Sequence, residues 1–546
     1  MTPGTGSVQM GIRSIVIPGE FRTIDGSGNN VENPEWGSVE QPFLRGVPAD
    51  YADGVSAPSG ENRPSARVIS NALCAQSESR PNRRGASDFV WQWGQFLDHD
   101  IDLTPVADPV EPFDIPVPAG DPFFDPQGLG TVTIGLDRSY FEMIDGVREQ
   151  INEITAYVDA SNVYGSDAER AIALRTNDGS GRLLTSAGDL LPFNTEALPN
   201  APTEHDPSFF LAGDFRANEQ VGLTAMHTLF VREHNYWADV LGSSNPGLSG
   251  DQIYEAARVI VVAEIQAITY NEFLPLMLGP KAIPRYAGYS PRMNAGIANE
   301  FATSAYRFGH SMLSSTLLRL DHRGNEIPEG NLPLANAFFD PALLTDEGGI
   351  EPVLRGLARQ QAQEIDALLV DDVRNFLFGP PGAGGFDLAS LNLQRGRDHG
   401  LASYNATRAA YGLRPARRFS DITRDRDVQD QLEAVYGDPN EIDLWVGALC
   451  EPHVREAMVG ETLFTVLRAQ FLRLRNGDRF WYQNYLDGEF QKLIDRQTLA
   501  TIIRRNTEIA GEIQDNVFIA PRALEIQPRG GMLPGQGPPR GGGGRR

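Results

Sequence analysis

The sequence predicts a mainly α-helical protein built as one large domain, on three observations. Four long stretches, Asp88–Asp100, Gln220–Leu241, Gly250–Phe273 and Val454–Arg475, carry apolar side chains three and four residues apart, the period of a helix with one buried face. Strand signals are few and short, Thr131–Ile134 among them. No linker or fixed repeat divides the chain, so residues 21–527 read as a single domain between an N-terminal extension, 1–20, and a tail, 528–546. That tail is Gly, Pro and Arg with almost no apolar side chains, a composition that reads as disordered.

Composition narrows the function classes. At 546 residues and 41% hydrophobic side chains the chain can bury a large core. Its 72 acidic and 47 basic side chains give a formal net charge of −25, which argues against nucleic-acid binding, since that needs a basic footprint. No run approaches the length of a membrane span. Met1–Arg22 has no apolar stretch between a basic segment and a cleavage site, so it does not read as a secretory signal. Two cysteines, Cys74 and Cys450, exclude a disulfide framework and leave both a cytosolic and a secreted location open.

Taken along the chain, the first informative element is the helix starting at Ser87 and Asp88, a capping hydroxyl and a first-turn acid. Phe89, Val90, Trp93, Phe96 and Leu97 form its apolar face. Asp88, Gln92, Gln95 and His99 follow at spacings of four, three and four, which stacks them in a polar line, with Asp98 beside it. Such a line is either one wet face or the wall of a polar pocket in which His99 moves protons. Next, Thr104–Gly130 is dense in Pro, Asp and Gly and reads as a long surface loop.

In Asn152–Ser166, Thr155, Tyr157, Asp159 and Ser161 alternate, as in an extended segment. Their oxygens suit calcium, and Asp100 would complete a site if the two segments met; an exposed strand alternates in the same way. Arg216, followed by Glu219 and Gln220, precedes a long helical pattern; it is either a surface residue or a fixed charge in a pocket. His310 ends the run AYRFGH after Phe301, Ala305 and Phe308, as a packed histidine or a haem-iron ligand. LNLQRGRDHG reads as a polar turn offering Asn392, Arg395, Arg397, Asp398 and His399, among them an amide able to orient a ligand histidine.

In order and spacing, nine segments resemble the animal-type haem peroxidases, whose superfamily also holds the cyclooxygenases. They are FRTIDGSGNNVENPEWG, RPSAR, WGQFLDHD, TAYVDASNVYGS, MHTLFVREHN, YRFGH, LNLQRGRDHGL, IDLWVG and NGDRFWYQN, spread over nearly the whole chain. The resemblance implies a haem peroxidase that reduces hydrogen peroxide and oxidises halide, thiocyanate or phenolic donors through a ferryl intermediate. It implies haem b and calcium as cofactors. His99 resembles the distal histidine, Gln95 the glutamine that holds distal water or halide, and Arg216 the distal arginine. His310 resembles the proximal ligand and Asn392 its hydrogen-bond partner, while Arg307 and Arg395 match arginines beside the haem propionates. Asp98 and Glu219 match carboxylates that become ester-linked to haem. Asp100, Thr155, Tyr157, Asp159 and Ser161 match the calcium ligands, Tyr157 through its backbone carbonyl.

Two positions depart from the family pattern. Gly28 stands where secreted members carry a cysteine, so the extracellular location that the resemblance suggests does not transfer freely. Gln220 stands where some members have a methionine bonded to the haem. The rival reading is a fatty-acid dioxygenase of the cyclooxygenase branch, whose radical tyrosine lies three residues before the proximal histidine. Arg307 holds that position here, and Tyr306, one residue earlier, would point about 100° away on a helix.

Overall fold

The computed structural model describes residues 18–203 and 205–521; residues 1–17 of the extension and the 528–546 tail lie outside them. The fold is predominantly helical around one continuous core. Four helices position the site: α1, Phe89–Ile101; α2, Val221–Ser244; α3, Gly250–Ile268; and α4, Glu461–Asn476. They follow the apolar periods, with ends shifted. Helix α4 starts seven residues later than its pattern, because Pro452 and Gly460 interrupt the segment before it. Past α3 the chain widens into one π turn, Thr269–Phe273.

Helices α2 and α3 form a hairpin across a short turn. Ser249 and Gln252 cap α3 reciprocally: Gln252 N–H donates to Ser249 Oγ at 3.3 Å and Ser249 N–H to Gln252 Oε1 at 2.9 Å. Helix α1 packs on α2 through Phe96, fully buried and stacked on Phe230 with centroids 5.0 Å apart. Truncating such a ring to alanine costs roughly 3–5 kcal/mol. The stretch Gly250–Leu278, at mean hydropathy 1.2, is long and apolar enough to cross a membrane, contrary to the sequence reading, but 72% of its most apolar window is buried inside the protein. Its apolar character serves the core.

Several local expectations are corrected. Thr104–Gly130 is not a plain surface loop: Ile115, Val117 and Phe124 enter the core, and Asp121 pairs with buried Arg67 at 2.7 Å. Ile115–Pro116 pairs antiparallel with Thr133–Ile134, the part of the expected strand that forms. A hairpin went unread, Phe141–Ile144 with Val147–Asn152, although Asp145–Gly146 is a strong turn signal and both residues take positive φ, 52° and 83°. Leu388–Asp398, read as a polar turn, is a helix capped by Asp387, whose Oδ1 accepts from Ala389 and Ser390 N–H. Asp88 does not cap α1 from the surface; it is buried, takes a hydrogen bond from Ser314 Oγ at 3.0 Å, and burial raises its pKa to about 8.

Candidate active site

Polar and apolar side chains meet at one cleft of about 1160 Å³, its open mouth included. Helix α1 supplies one wall with Trp91, Gln95, Asp98 and His99. Of the polar line of the sequence, Gln95 and His99 face the cleft, while Asp88 and Gln92 are buried outside its lining. Arg216, Glu219 and Gln220 arrive from the segment just before α2, and Tyr306 to His310 from a 3-10 helix, Ala305–Met312. Apolar side chains such as Leu334, Phe338, Leu377 and Leu388 complete the lining.

His99 is 4% exposed. Its Nδ1 lies 3.4 Å from Asp214 Oδ1 and its Nε2 3.9 Å from Glu219 Oε2. Burial, and then the charge of Arg216, hold its pKa well below the ordinary histidine value. Arg216 is fixed by the same carboxylate: Nε donates to Asp214 Oδ1 at 2.9 Å and Nη2 to Asp214 Oδ2 at 2.7 Å, with a further bond from Nη2 to Asp102 C=O at 2.9 Å. Asp214 was missed in the sequence. Its only signal is the spacing Asp-x-Arg, which also lets Arg216 N–H donate to Asp214 Oδ1 at 2.8 Å.

Gln95 Nε2 donates to Glu219 Oε2 at 2.8 Å, and burial raises the Glu219 pKa to about 7. Gln220 caps α2: Gly222 N–H donates to its Oε1 at 2.7 Å, and its Nε2 donates to Gln95 Oε1 at 3.1 Å and to Gln92 Oε1 at 2.5 Å. On the other side, His310 Nδ1 lies 2.8 Å from Asn392 Nδ2, and burial lowers the His310 pKa to about 3. Arg307 donates to Ala302 C=O at 3.0 Å and lies 3.4 Å from Asn392 Oδ1. Arg395 does not line the cleft; its Nη1 is occupied by Asp137 C=O, Ser139 Oγ and Asp398.

A second cluster lies behind α1. Thr155, Tyr157, Asp159 and Ser161 are buried, not alternately exposed, and Ser161 opens a short helix, Ser161–Tyr164. Ser161 Oγ donates to Asp100 C=O at 2.8 Å and Thr155 Oγ1 to Asp159 Oδ1 at 3.0 Å. Both Asp100 carboxylate oxygens and Asp159 Oδ2 are buried without a hydrogen-bond partner. The Tyr157 hydroxyl donates to Trp36 C=O, away from the cluster. Asn162 ties this loop to the cleft: its Nδ2 donates to Phe96 C=O at 2.6 Å and its C=O accepts from Asp214 N–H at 3.1 Å. Gly213 permits that approach, since a Cβ there would sit 2.4 Å from Ser161 C=O.

Two histidines lining one cleft with a clamped arginine are one observation; comparison with known proteins supplies the other. The profile of the family described as "Animal haem peroxidase" matches residues 21–518. Peroxinectin A of Dictyostelium discoideum is 36% identical over 91% of this chain and 96% of its own length. The chain belongs to the animal haem peroxidase family. It is a haem peroxidase, an oxidoreductase acting on hydrogen peroxide.

The solved structure of peroxidase A from Dictyostelium discoideum superposes on this peroxidase with a TM-score of 0.85 at 35% identity, covering 92% of this chain and 99% of that one. A fatty-acid alpha-dioxygenase of Oryza sativa shares the fold, with a TM-score of 0.76 over 94% of this chain and 92% of that one, at only 22% identity.

The peroxidase's cleft fits the haem that the family implies. Its apolar walls suit a macrocycle, Arg307 offers a cation on the lining, and His310 has one ring nitrogen engaged and one left over. The second cluster fits a hard cation, since three buried carboxylate oxygens make no hydrogen bond, although Arg22 Nη1 stands 3.8 Å from one of them, Asp159 Oδ2. No group of three or more His, Cys, Asp or Glu forms a metal site among the described residues; the set here is two carboxylates with hydroxyl and carbonyl oxygens.

Proposed function

We propose that His310 ligates haem iron through Nε2 and that His99 and Arg216 act on hydrogen peroxide from the opposite wall. The observation that carries this reading is the carboxylate of Asp214, which clamps Arg216 by hydrogen bonds and lies 3.4 Å from His99, with both side chains on the cleft. Bound haem supplies the redox chemistry; the protein supplies position and charge. His99 would take a proton from one oxygen of peroxide and return it to the other, base and then acid. Arg216, fixed before the reaction, stabilises the negative charge that develops as the O–O bond breaks. Ligation at Nε2 puts the remaining proton of His310 on Nδ1, so the Asn392 amide turns its oxygen to that nitrogen and accepts.

Arg307, by its place on the lining, pairs with a haem propionate, and Arg395 backs it from outside the cleft. Asp98 and Glu219, both on the cleft, are the carboxylates that would link to a bound haem. Calcium binds Asp100, Asp159, Thr155, Ser161 and the Tyr157 carbonyl. The donors are small: iodide, thiocyanate and phenols readily, bromide more slowly, chloride poorly at neutral pH, because Gln220 cannot make the sulfur bond that strengthens the oxidant in some relatives. Steady-state oxidation of these five donors by haem-loaded protein tests the reading. Robust chlorination at neutral pH overturns the donor order, and no peroxide-dependent oxidation of any donor overturns the assignment.

A further inference from the structure

Tyr306 lines the cleft, is buried, and its hydroxyl has no hydrogen-bond partner. From it a run of aromatic rings leads away from the site. Tyr306 and Phe471 have centroids 5.8 Å apart, Phe471 and Tyr270 6.1 Å, and Tyr270 and Trp481 4.7 Å. Trp481 then touches Tyr482 at 5.0 Å and Tyr286 at 6.1 Å. These are contact separations for paired rings. Electrons cross such gaps readily between rings that can be oxidised, with Phe471 only a bridge between Tyr306 and Tyr270.

Aromatic packing alone would be an ordinary core. The hydroxyls single out one end. An oxidised phenol is a strong acid, so a tyrosine gives up an electron easily only where its proton has an acceptor. Tyr306 and Tyr286 hydroxyls have no partner, and the Tyr270 hydroxyl donates to Phe471 C=O at 2.6 Å, which takes no proton. Arg475 also lies over the rings of Tyr270 and Tyr286, at 6.0 and 5.5 Å, and disfavours positive charge on either. Tyr482 differs. Its hydroxyl donates to Asp495 Oδ1 at 2.9 Å, and Asp495 is exposed, so a proton received there passes to solvent.

We propose that Tyr482 is a second oxidation site, with the packed rings of Tyr306, Phe471, Tyr270 and Trp481 as the bridge to the cleft on which no radical settles. The proposal rests on the haem peroxidase assignment, with peroxide as the oxidant. One electron leaves Tyr482 toward the cleft, the phenolic O–H bond breaks, and its proton goes to Asp495, leaving a neutral phenoxyl radical. A donor at the surface returns one electron and the proton restores the phenol. The substrate class is one-electron donors too large to enter the cleft, taken up where Asp495 meets solvent.

The test is rapid-freeze electron paramagnetic resonance of haem-loaded enzyme mixed with hydrogen peroxide and no donor, with spin-trap adducts located by mass spectrometry. The wild type should give a tyrosyl signal and an adduct on Tyr482. Tyr482→Phe, which keeps the ring, should lose both while consuming peroxide at the wild-type initial rate; Asp495→Asn should shift the signal toward Trp481. Reduced cytochrome c, too large for the cleft, should be oxidised more slowly by both variants, with iodide oxidation unchanged. An unaltered signal in Tyr482→Phe, or no protein radical in an enzyme that reacts with peroxide, overturns the relay alone. A protein that binds no haem or ignores peroxide overturns the peroxidase reading, and the relay with it.

Discussion

Asp214 Oδ1 lies 3.4 Å from His99 Nδ1, and the same carboxylate receives the Nε and Nη2 hydrogens of Arg216. One acid therefore fixes Arg216 by hydrogen bonds and lies beside His99, whose Nδ1 makes no hydrogen bond of its own. Asp214→Asn keeps the shape but removes the charge and one acceptor. Its reaction with peroxide should slow by about 10- to 100-fold, the usual cost of losing a group that orients an active one, with haem content unchanged. Stopped-flow absorbance decides; a wild-type rate would show that His99 and Arg216 hold themselves in place.

The two histidines should separate cleanly. His99→Ala should retain haem and lose about 10²- to 10⁴-fold in the rate of reaction with peroxide. His310→Ala should lose stable haem binding, read as loss of the Soret band. Asn392→Ala should keep the band with a shifted position, because Asn392 is the partner of His310 Nδ1 at 2.8 Å. Unchanged haem content and spectrum in His310→Ala would rule out its role.

Much of this was legible in the chain, and the misses have physical causes. The apolar face of Phe89, Val90, Trp93, Phe96 and Leu97 fixes α1, and that helix carries Gln95, Asp98 and His99 into the cleft. Leu388–Asp398 hid its helix because Asn392, Gln394, Arg395, Arg397 and Asp398 leave little apolar period. Asp214 was missed because its one local signal is Asp-x-Arg and its other neighbour, His99, lies on a helix far away in sequence. Arg395 shows the reverse case: a matching position whose Nη1 is turned to Asp137, Ser139 and Asp398.

The calcium cluster should be coupled to the site through Asn162, which bonds both Phe96 C=O and Asp214 N–H. Asp159→Ala removes one ligand and the partner of Arg22 at 3.8 Å, and with the calcium gone Asp100 stays buried without a hydrogen bond, a loss on the order of 1–3 kcal/mol. Thermal stability and peroxide turnover should fall together, and chelation of the wild type should reproduce both. Metal analysis that finds no calcium in active enzyme would defeat this.

Gln220→Met tests the missing sulfur bond and also has a structural cost. The side chain caps α2 and bonds Gln92 and Gln95. Removing a cap costs about 1 kcal/mol and orphaning a buried amide about 1–3 kcal/mol more. The variant should therefore melt earlier, whether or not it gains chloride activity. An unchanged melting temperature would show that the Gln220 hydrogen bonds contribute nothing.

Asp88 makes the pH dependence of stability testable away from the proposed ligands. It is 1% exposed, it accepts a hydrogen bond from Ser314 Oγ, and burial raises its pKa to about 8. In the unfolded chain an aspartate titrates near its ordinary value, about 3.9. Between those values the folded state binds the proton and the unfolded state does not. The stability the group contributes is therefore complete at low pH and is lost as pH rises through the folded pKa. Asp88→Asn keeps an oxygen for Ser314 and cannot ionise. Its advantage over the wild type should grow from pH 5 to pH 9, to several kcal/mol at the upper end. Denaturant melts of both proteins across that range measure the difference directly. A gap that stays constant with pH would mean that Asp88 titrates alike in the folded and unfolded chains, and that its burial costs the fold nothing through charge.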